Sequence, residues 1–257
     1  MSEYELSHQK NIRDLGGMTT GSGKTIKYGR LFRGGLINKV TLEDIEVVDS
    51  FHLTDMVDFR SSDEYNDRPD YRFKGVTFHN FSTFESDLKK EEQRHEDGNL
   101  LWFIDKGNDG HKHLAKTYKQ LVDTPDGIKA YKQFFKLLLS DDKRVVYFHC
   151  SQGKDRAGVA AFLLELALGV SLEDAIDDYM LSNKAMAIRL KNLMKLVEDK
   201  PFFDEQYRQS MYDVFSAKKE YIQEVIDIVN EKYGGFDKYF KDVLEIDVDK
   251  LKAIYLE

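Results

Sequence analysis

Residues 145–158 read VVYFHCSQGKDRAG, and this stretch decides the fold. Residues 144–148 are short, largely apolar and rich in β-branched and aromatic side chains, a composition typical of a buried strand. Residues 159–168 are apolar almost all round and are followed by a glycine, which predicts a central helix with a glycine stop. The sequence therefore predicts a strand, a tight loop and a helix, with Cys150 and Arg156 at the two ends of the loop.

The spacing between these two residues has a chemical reason. Five residues separate Cys150 from Arg156, enough to wrap backbone N–H groups around one phosphate. The N-terminus of the following helix favours an anion at the same place, so Cys150 is the candidate nucleophile and Arg156 the candidate bidentate clamp. Asp155 is the candidate general acid, and His149 the candidate residue for holding the loop or tuning the thiol. The candidate phosphate-binding residues are Ser151, Gln152, Gly153, Lys154 and Arg156.

Two alternatives stay open at this loop. Cys150 could be an ordinary core cysteine, because free cysteines are often buried. Asp123 and Asp126, which lie upstream of the loop, are the second choice for the general acid after Asp155.

Further motifs follow one another along the chain. They are NIRDLGG at 11–17, GRLFRGGL at 29–36, DFRS at 58–61 with Glu64 and Pro69-Asp70, DYMLSN at 178–183 and YGGF at 233–236. Together with the loop sequence at 149–158, they resemble the motifs of the bacterial atypical tyrosine and phosphoinositide phosphatases. The resemblance spans nearly the whole chain, which makes it far more specific than the loop alone.

This resemblance implies an α/β fold of the cysteine-phosphatase type, with a central sheet flanked by helices. It also implies that Cys150 is the nucleophile, that Asp155 is an acid and base within the loop, and that Lys154 favours phosphoinositides in some members. Ala157 departs from the family, which often has Thr or Ser there. That hydroxyl usually hydrogen-bonds the departing thiolate, so its absence bears on the hydrolysis of phosphocysteine and not on the first attack.

The leading hypothesis is a cysteine-dependent phosphatase that acts on a phosphorylated protein or a phosphoinositide, without a metal or an organic cofactor. The same loop is expected to accept a phosphate or sulfate ion. A catalytically weakened phosphate-binding module is the alternative, favoured only by Ala157. A sulfurtransferase or an arsenate reductase would also use a loop cysteine, but such reductases generally need further cysteines and Cys150 stands alone.

Composition limits the class of protein. The 257 residues are enough for a single domain at 1–257, and 41% hydrophobic with 33% charged residues indicates a soluble globular chain. A net charge of -8 argues against a nucleic-acid or anionic-membrane binder. One cysteine excludes an internal disulfide, and no signal peptide or membrane-spanning run is visible. We therefore expect a cytoplasmic protein, with secretion left open if a leader was removed.

Several conspicuous polar residues could support the site or form structural ion pairs. Asp58 and Arg60 lie at the C-terminal end of a strand predicted at 52–59, where α/β sheets place their sites. Arg13, Asp14 and Arg33 are expected near the site but not in direct contact with the substrate.

Two further patterns invite functional readings. Gly23-Lys24-Thr25 lacks both the glycine spacing and the helix of a nucleotide loop, so a hairpin turn between strands at 25–28 and 30–33 is favoured. His111 and His113 with Asp109 could suggest a metal, but a solvated loop is favoured because no partner cluster surrounds them.

Helix signals complete the prediction. Thr41 is expected to cap a helix that runs to about Ser50, Thr124 to cap one that begins at Pro125, and Ser171 to cap one that contains Tyr179. Residues 183–230 predict two more amphipathic helices, interrupted near Pro201. The apolar stripe in this region predicts either ordinary core packing or, as the family suggests, a helical lid at about 183–215.

Overall fold

A computed structural model describes residues 2–9, 11–84, 109–198 and 204–257. Its strands are β1 Ser2–Tyr4, β2 Ile12–Asp14, β3 Leu31–Gly35, β4 Asp55–Asp58, β5 Thr77–Asn80 and β6 Val146–Cys150. Its helices are α1 Leu42–Asp49, α2 Ser62–Asp67, α3 Gly110–Asp123, α4 Pro125–Leu138, α5 Arg156–Leu168, α6 Leu172–Glu198, α7 Glu205–Phe215, α8 Lys219–Tyr233, α9 Phe236–Lys238 and α10 Val248–Tyr255, with a π-helical turn at Tyr239–Val243. Most of the charged and apolar stretch at 83–113 lies outside the described residues.

The strands form one mixed sheet in the order β1-β2-β3-β6-β4-β5. The first three pair antiparallel, whereas β3, β6, β4 and β5 pair parallel. Because Cys150 pairs with Gly35, and His149 with Asp58, the carboxyl ends of the three central strands meet at one edge. Ligand sites of α/β sheets lie at such an edge. The predicted α/β class, a sheet flanked by helices, is confirmed.

Helix α5 is the centre of the core. Its residues from Ala157 to Leu168 are buried, apart from the partly buried Leu166. Gly169 closes the helix in the left-handed region at φ 94°, which suits glycine because it has no Cβ. The helix with its glycine stop is therefore confirmed, and it begins three residues earlier than predicted, at Arg156.

Predicted caps are also confirmed. Thr41 and Asp44 form a reciprocal capping box at the start of α1, and Ser50 is the C-cap of this helix. Thr124 accepts a hydrogen bond from the backbone N–H of Gly127, with Pro125 in the first turn of α4.

The strands predicted at 30–33, 52–59 and 144–148 are present with different ends, at 31–35, 55–58 and 146–150. The strand predicted at 52–59 begins only at Asp55, because His52 adopts φ 55° in the turn that follows α1. Residues 25–28 are not a strand: Thr25 and Ile26 form only isolated bridges, to Thr19 and Leu256. The turn before them is present, since the N–H of Thr20 donates to the carbonyl of Lys24 at 2.8 Å.

Helix α6 differs from the prediction in length. It runs unbroken through residues 172–198, so no separate helix starts after Tyr179. No glycine or proline occurs within these residues to stop it. Residues 199–203 lie outside the described part of the chain, and the lid at 183–215 stays a prediction. None of the described helices combines the length and apolarity needed to cross a membrane.

Candidate active site

The loop between β6 and α5 holds the predicted nucleophile and clamp at its two ends. Cys150 is the last residue of β6 and is 2% exposed, and Arg156 is the first residue of α5. Gly153 has φ 76°, and a Cβ there would lie 2.3 Å from the carbonyl carbon of Gly34. Only glycine lets the loop pack this closely on the neighbouring strand.

A carboxylate from α2 grips the loop arginine. The two amino groups of Arg156 donate to the two carboxylate oxygens of Glu64 at 2.5 and 3.1 Å, and the Ser151 hydroxyl donates to Glu64 at 2.8 Å. Burial would raise the pKa of Glu64, but Arg156 outweighs burial and lowers it to about 2. The ion pair between Glu64 and Arg156 fixes the plane of the guanidinium at the end of the loop that begins at Cys150.

Glu64 was missed as a site residue by sequence reasoning, which saw it only within a motif. Its signal is the pattern Ser61-x-x-Glu64: the Ser61 hydroxyl accepts from the N–H of Glu64, and Glu64 accepts from the N–H of Ser61. This capping box starts α2 at Ser62, a short distance after β4 ends at Asp58, and so orients the carboxylate.

Asp155 is held from two sides. Its Oδ1 accepts hydrogen bonds from the Lys154 ammonium and from the Tyr118 hydroxyl, both at 2.7 Å. Tyr118 also lies 2.8 Å from the hydroxyl of Tyr179. Burial, and then the negative charge of Asp155, raise the pKa of Tyr118 well above its usual value, so the phenol stays a donor. Sequence reasoning gave neither tyrosine a role.

His149 lies beneath the loop and is fully buried. Its Nε2 is 3.4 Å from Asp70, its Nδ1 3.9 Å from Asp58, and its Nδ1 3.3 Å from the carbonyl oxygen of Cys150. Burial alone would lower the pKa of His149, but the carboxylates of Asp70 and Asp58 raise it to about 9. A positively charged imidazole therefore lies beside the backbone carbonyl of Cys150 at neutral pH.

Among the described residues, Asp58, Asp70 and His149 bring three potential metal ligands within 4.8 Å of one another. The Arg60 guanidinium already binds Asp58 at 2.6 Å and lies 3.4 Å from Asp70. The group is therefore an ion-pair network, and Asp58 and Arg60 belong to it.

The other predicted residues lie apart from the mouth of the loop. Asp14 accepts from the N–H groups of Gly16 and Gly29 and so holds a turn. Arg13 and Arg33 both pair with Asp178, at 2.8 and 2.5 Å. Their network reaches the back of the loop, as described below.

The alternative acids have other surroundings. Asp123, at the end of α3, accepts from Lys232 at 2.5 Å and from Tyr233 at 2.6 Å. Asp126 lies in the first turn of α4. Of the three aspartates, Asp155 is the one that lies within the loop, where Lys154 and Tyr118 bind it.

The solvated loop expected at 109–113 is instead the start of α3. Asp109 caps this helix, because its side chain accepts from the N–H of Lys112. The His111 ring packs 5.2 Å from the ring of Tyr221. This stretch is therefore helical, with Asp109 and Lys112 exposed and the two histidines half-buried.

The charge on His149 gives a testable pH dependence. Because the folded-state pKa of His149, about 9, lies above the ordinary 6.5, its contribution to stability is fully present below pH 6.5 and is lost as the pH rises through 9. We expect urea unfolding to show a loss of about 3 kcal/mol from this group over that range. Asp70→Asn should flatten the dependence. An equally steep dependence in that variant would contradict the assignment.

A family model and relatives among known proteins match this chain over nearly its whole length. The sequence model described as the tyrosine phosphatase family matches residues 4–257. A Cupriavidus necator protein named "Putative tyrosine-protein phosphatase" is 26% identical over 261 residues, which cover 96% of this chain and 85% of the relative. A Mycobacterium tuberculosis protein named "Triple specificity protein phosphatase PtpB" is 22% identical over 283 residues, which cover both chains completely.

Proposed function

The chain belongs to the tyrosine phosphatase family, and we propose that it hydrolyses phosphotyrosine or phosphoinositide monoesters through a phosphocysteine at Cys150. The observation that carries this proposal is the clamp at the loop: Arg156, six residues after Cys150, is held flat by both oxygens of Glu64. A planar guanidinium in this position can bind two oxygens of a phosphate.

Each residue then has a defined task. The Cys150 thiolate attacks phosphorus and forms the S–P bond, while the P–O bond to the leaving group breaks. In its protonated form Asp155 donates a proton to the departing oxygen, and the resulting carboxylate later removes a proton from the water that attacks phosphorus and breaks the S–P bond. Arg156 and the backbone N–H groups of residues 151–154 stabilise the charge on the phosphoryl oxygens. No step requires a metal or an organic cofactor.

The substrate class rests on the family and on Lys154. One relative is named a triple specificity phosphatase, which supports a range of phosphomonoesters here as well. Lys154 is 1% exposed and bound to Asp155, so it would have to leave that partner to reach a second phosphate. Phosphotyrosine, which has a single phosphate, makes no such demand. The mechanism also requires Cys150 as a free thiol, which fits a cytoplasmic location.

A substrate panel tests the proposed function. We expect turnover of phosphotyrosine peptides, phosphoinositides or both, and none above background for Cys150→Ser. Phosphoserine peptides test whether the range is wider. If the protein hydrolyses none of these substrates, and no generic aryl phosphate either, the proposal is wrong.

The alternative is a weakened phosphate-binding module. Ala157 is fully buried and has no hydroxyl to stabilise a departing thiolate. Phosphate binding without turnover of an aryl phosphate would favour this alternative over an enzyme.

The acid assignment predicts a dependence on the leaving group. Asp155→Asn should slow aryl phosphates with poor leaving groups by about 10²- to 10⁴-fold, because their oxygen must be protonated as it departs. Good leaving groups need little protonation and should be affected much less. Steady-state kinetics over a series of substituted phenyl phosphates measures this.

Asp123→Asn is the matched control, since Asp123 is also a hydrogen-bonded aspartate but is bound to α8. It should show the leaving-group dependence of the wild type. If the change appears in Asp123→Asn instead of Asp155→Asn, the acid has been assigned wrongly.

A further inference from the structure

We propose that Asp178 is a positioning residue for the phosphate-binding loop, which it reaches through two buried arginines. Arg33 leads from Asp178 to the carbonyl of Gly153, and Arg13 leads to the carbonyl of Gln152. The inference rests on the proposed role of this loop in binding phosphate. Asp178 lies on α6. In the sequence it is only the first residue of the motif DYMLSN at 178–183, with no role of its own.

The first connection is direct. One amino group of Arg33 lies 2.5 Å from a carboxylate oxygen of Asp178, and the other donates to the carbonyl oxygen of Gly153 at 3.1 Å. The side chains of Arg33 and Asp178 are at most 1% exposed. The carbonyl of Gly153 is therefore bound on the side of the loop that faces the protein interior.

The second connection includes one more side chain. Arg13 donates to both carboxylate oxygens of Asp178 at 2.8 and 3.1 Å, and to its carbonyl oxygen at 2.7 Å. Its remaining amino group donates to Asn11 at 2.8 Å, and the Asn11 amide donates to the carbonyl oxygen of Gln152 at 3.0 Å. Two successive loop carbonyls are thus bound by one network.

This arrangement matters for an anion site. A loop that binds an anion with backbone N–H groups must keep its carbonyl oxygens away from the anion, because their partial negative charge would repel it. Donors fixed behind Gln152 and Gly153 hold these peptide groups in that orientation before the anion arrives. Such preorganisation lowers the free-energy cost of binding.

Two buried carboxyl groups share the network but differ in charge. The arginines Arg13 and Arg33 outweigh burial and lower the pKa of Asp178 to about 2. Burial, and then the charge of Asp178, raise the pKa of Glu165 well above its usual value. Asp178 is therefore the anion that orders both arginines, whereas the same surroundings favour the uncharged form of the neighbouring Glu165 carboxyl group. An isosteric amide should be tolerated at Glu165 but not at Asp178.

The test compares Asp178→Asn with Glu165→Gln in the full chain. Inorganic phosphate is the probe, with its affinity measured by calorimetry and by competitive inhibition of aryl phosphate turnover. We expect Asp178→Asn to weaken phosphate binding at least about tenfold and Glu165→Gln less than about twofold. The leaving-group dependence of Asp178→Asn should remain that of the wild type, because Asp155 is untouched.

Asn11→Ala keeps the inference testable if Asp178→Asn does not fold, since it removes only the end of the second connection. It should weaken phosphate binding severalfold and raise KM more than it lowers kcat. Unchanged phosphate affinity in folded Asp178→Asn or in Asn11→Ala, or an equal loss in Glu165→Gln, would overturn the inference. The wild type could bind phosphate and turn over no substrate, while Asp178→Asn and Asn11→Ala bind phosphate more weakly. In that case the proposed function fails and the role of Asp178 stands.

Discussion

Cys150→Ser is expected to lower turnover of an aryl phosphate by about 10⁴-fold or more, with little change in phosphate affinity. The hydroxyl of serine is a far weaker nucleophile than a thiolate, and the helix N-terminus does not ionise it. The loop N–H groups and the Arg156–Glu64 pair do not involve the sulfur atom, so the anion site should survive. Single-turnover kinetics and calorimetry with inorganic phosphate measure the two effects separately.

Chemical modification provides an independent control. Because Cys150 is the only cysteine of the chain, iodoacetate alkylation reports on this thiol alone. Bound phosphate should slow alkylation and protect activity to the same extent. More than trace turnover in Cys150→Ser, or alkylation that leaves activity intact, would contradict the covalent mechanism.

Arg156→Lys is expected to reduce kcat/KM by about 10²- to 10³-fold. A lysine ammonium is a point charge, which can neither bind two phosphoryl oxygens in one plane nor match both oxygens of Glu64. Glu64→Gln should cause a smaller loss, because Arg156 keeps its charge and one hydrogen-bond partner. Steady-state kinetics on the same aryl phosphate compares the variants.

Arg144→Lys is the matched control for this change. Arg144 also pairs with a carboxylate, that of Asp55 at 2.6 Å, but at the opposite end of the parallel strands. Its replacement should alter kcat/KM less than about twofold, in keeping with the small contribution of a partly exposed ion pair. If Arg156→Lys behaves like Arg144→Lys, then Arg156 is not the phosphate clamp.

The loop and the helix behind it could be predicted because their signals are local. The apolar strand, the Cys150–Arg156 spacing and the stop at Gly169 all lie within one continuous stretch. Helix caps such as Thr41 and Thr124 were equally accessible, because a cap depends on residues three or four positions apart.

The partners of the loop could not be predicted in the same way. Glu64 is 92 residues from Arg156 in sequence, Tyr118 is 37 from Asp155, and Asp178 is 165 from Arg13. Their contacts depend on which strands are neighbours and on how α3 and α6 pack against α5. A buried arginine pattern indicates that a carboxylate must be near, but it does not say which one.

Helix α5 has a consequence for how such a protein can change over evolutionary time. The helix begins at Arg156 and is buried along nearly its whole length. A substitution that opens a cavity there costs about 2–5 kcal/mol and also displaces the backbone that carries the arginine. A substitution in this helix is therefore selected against for two reasons: it lowers the amount of folded protein, and it lowers the catalytic turnover of the protein that folds. Tolerated variation should accumulate instead on the exposed sides of the outer helices, where a substitution affects neither.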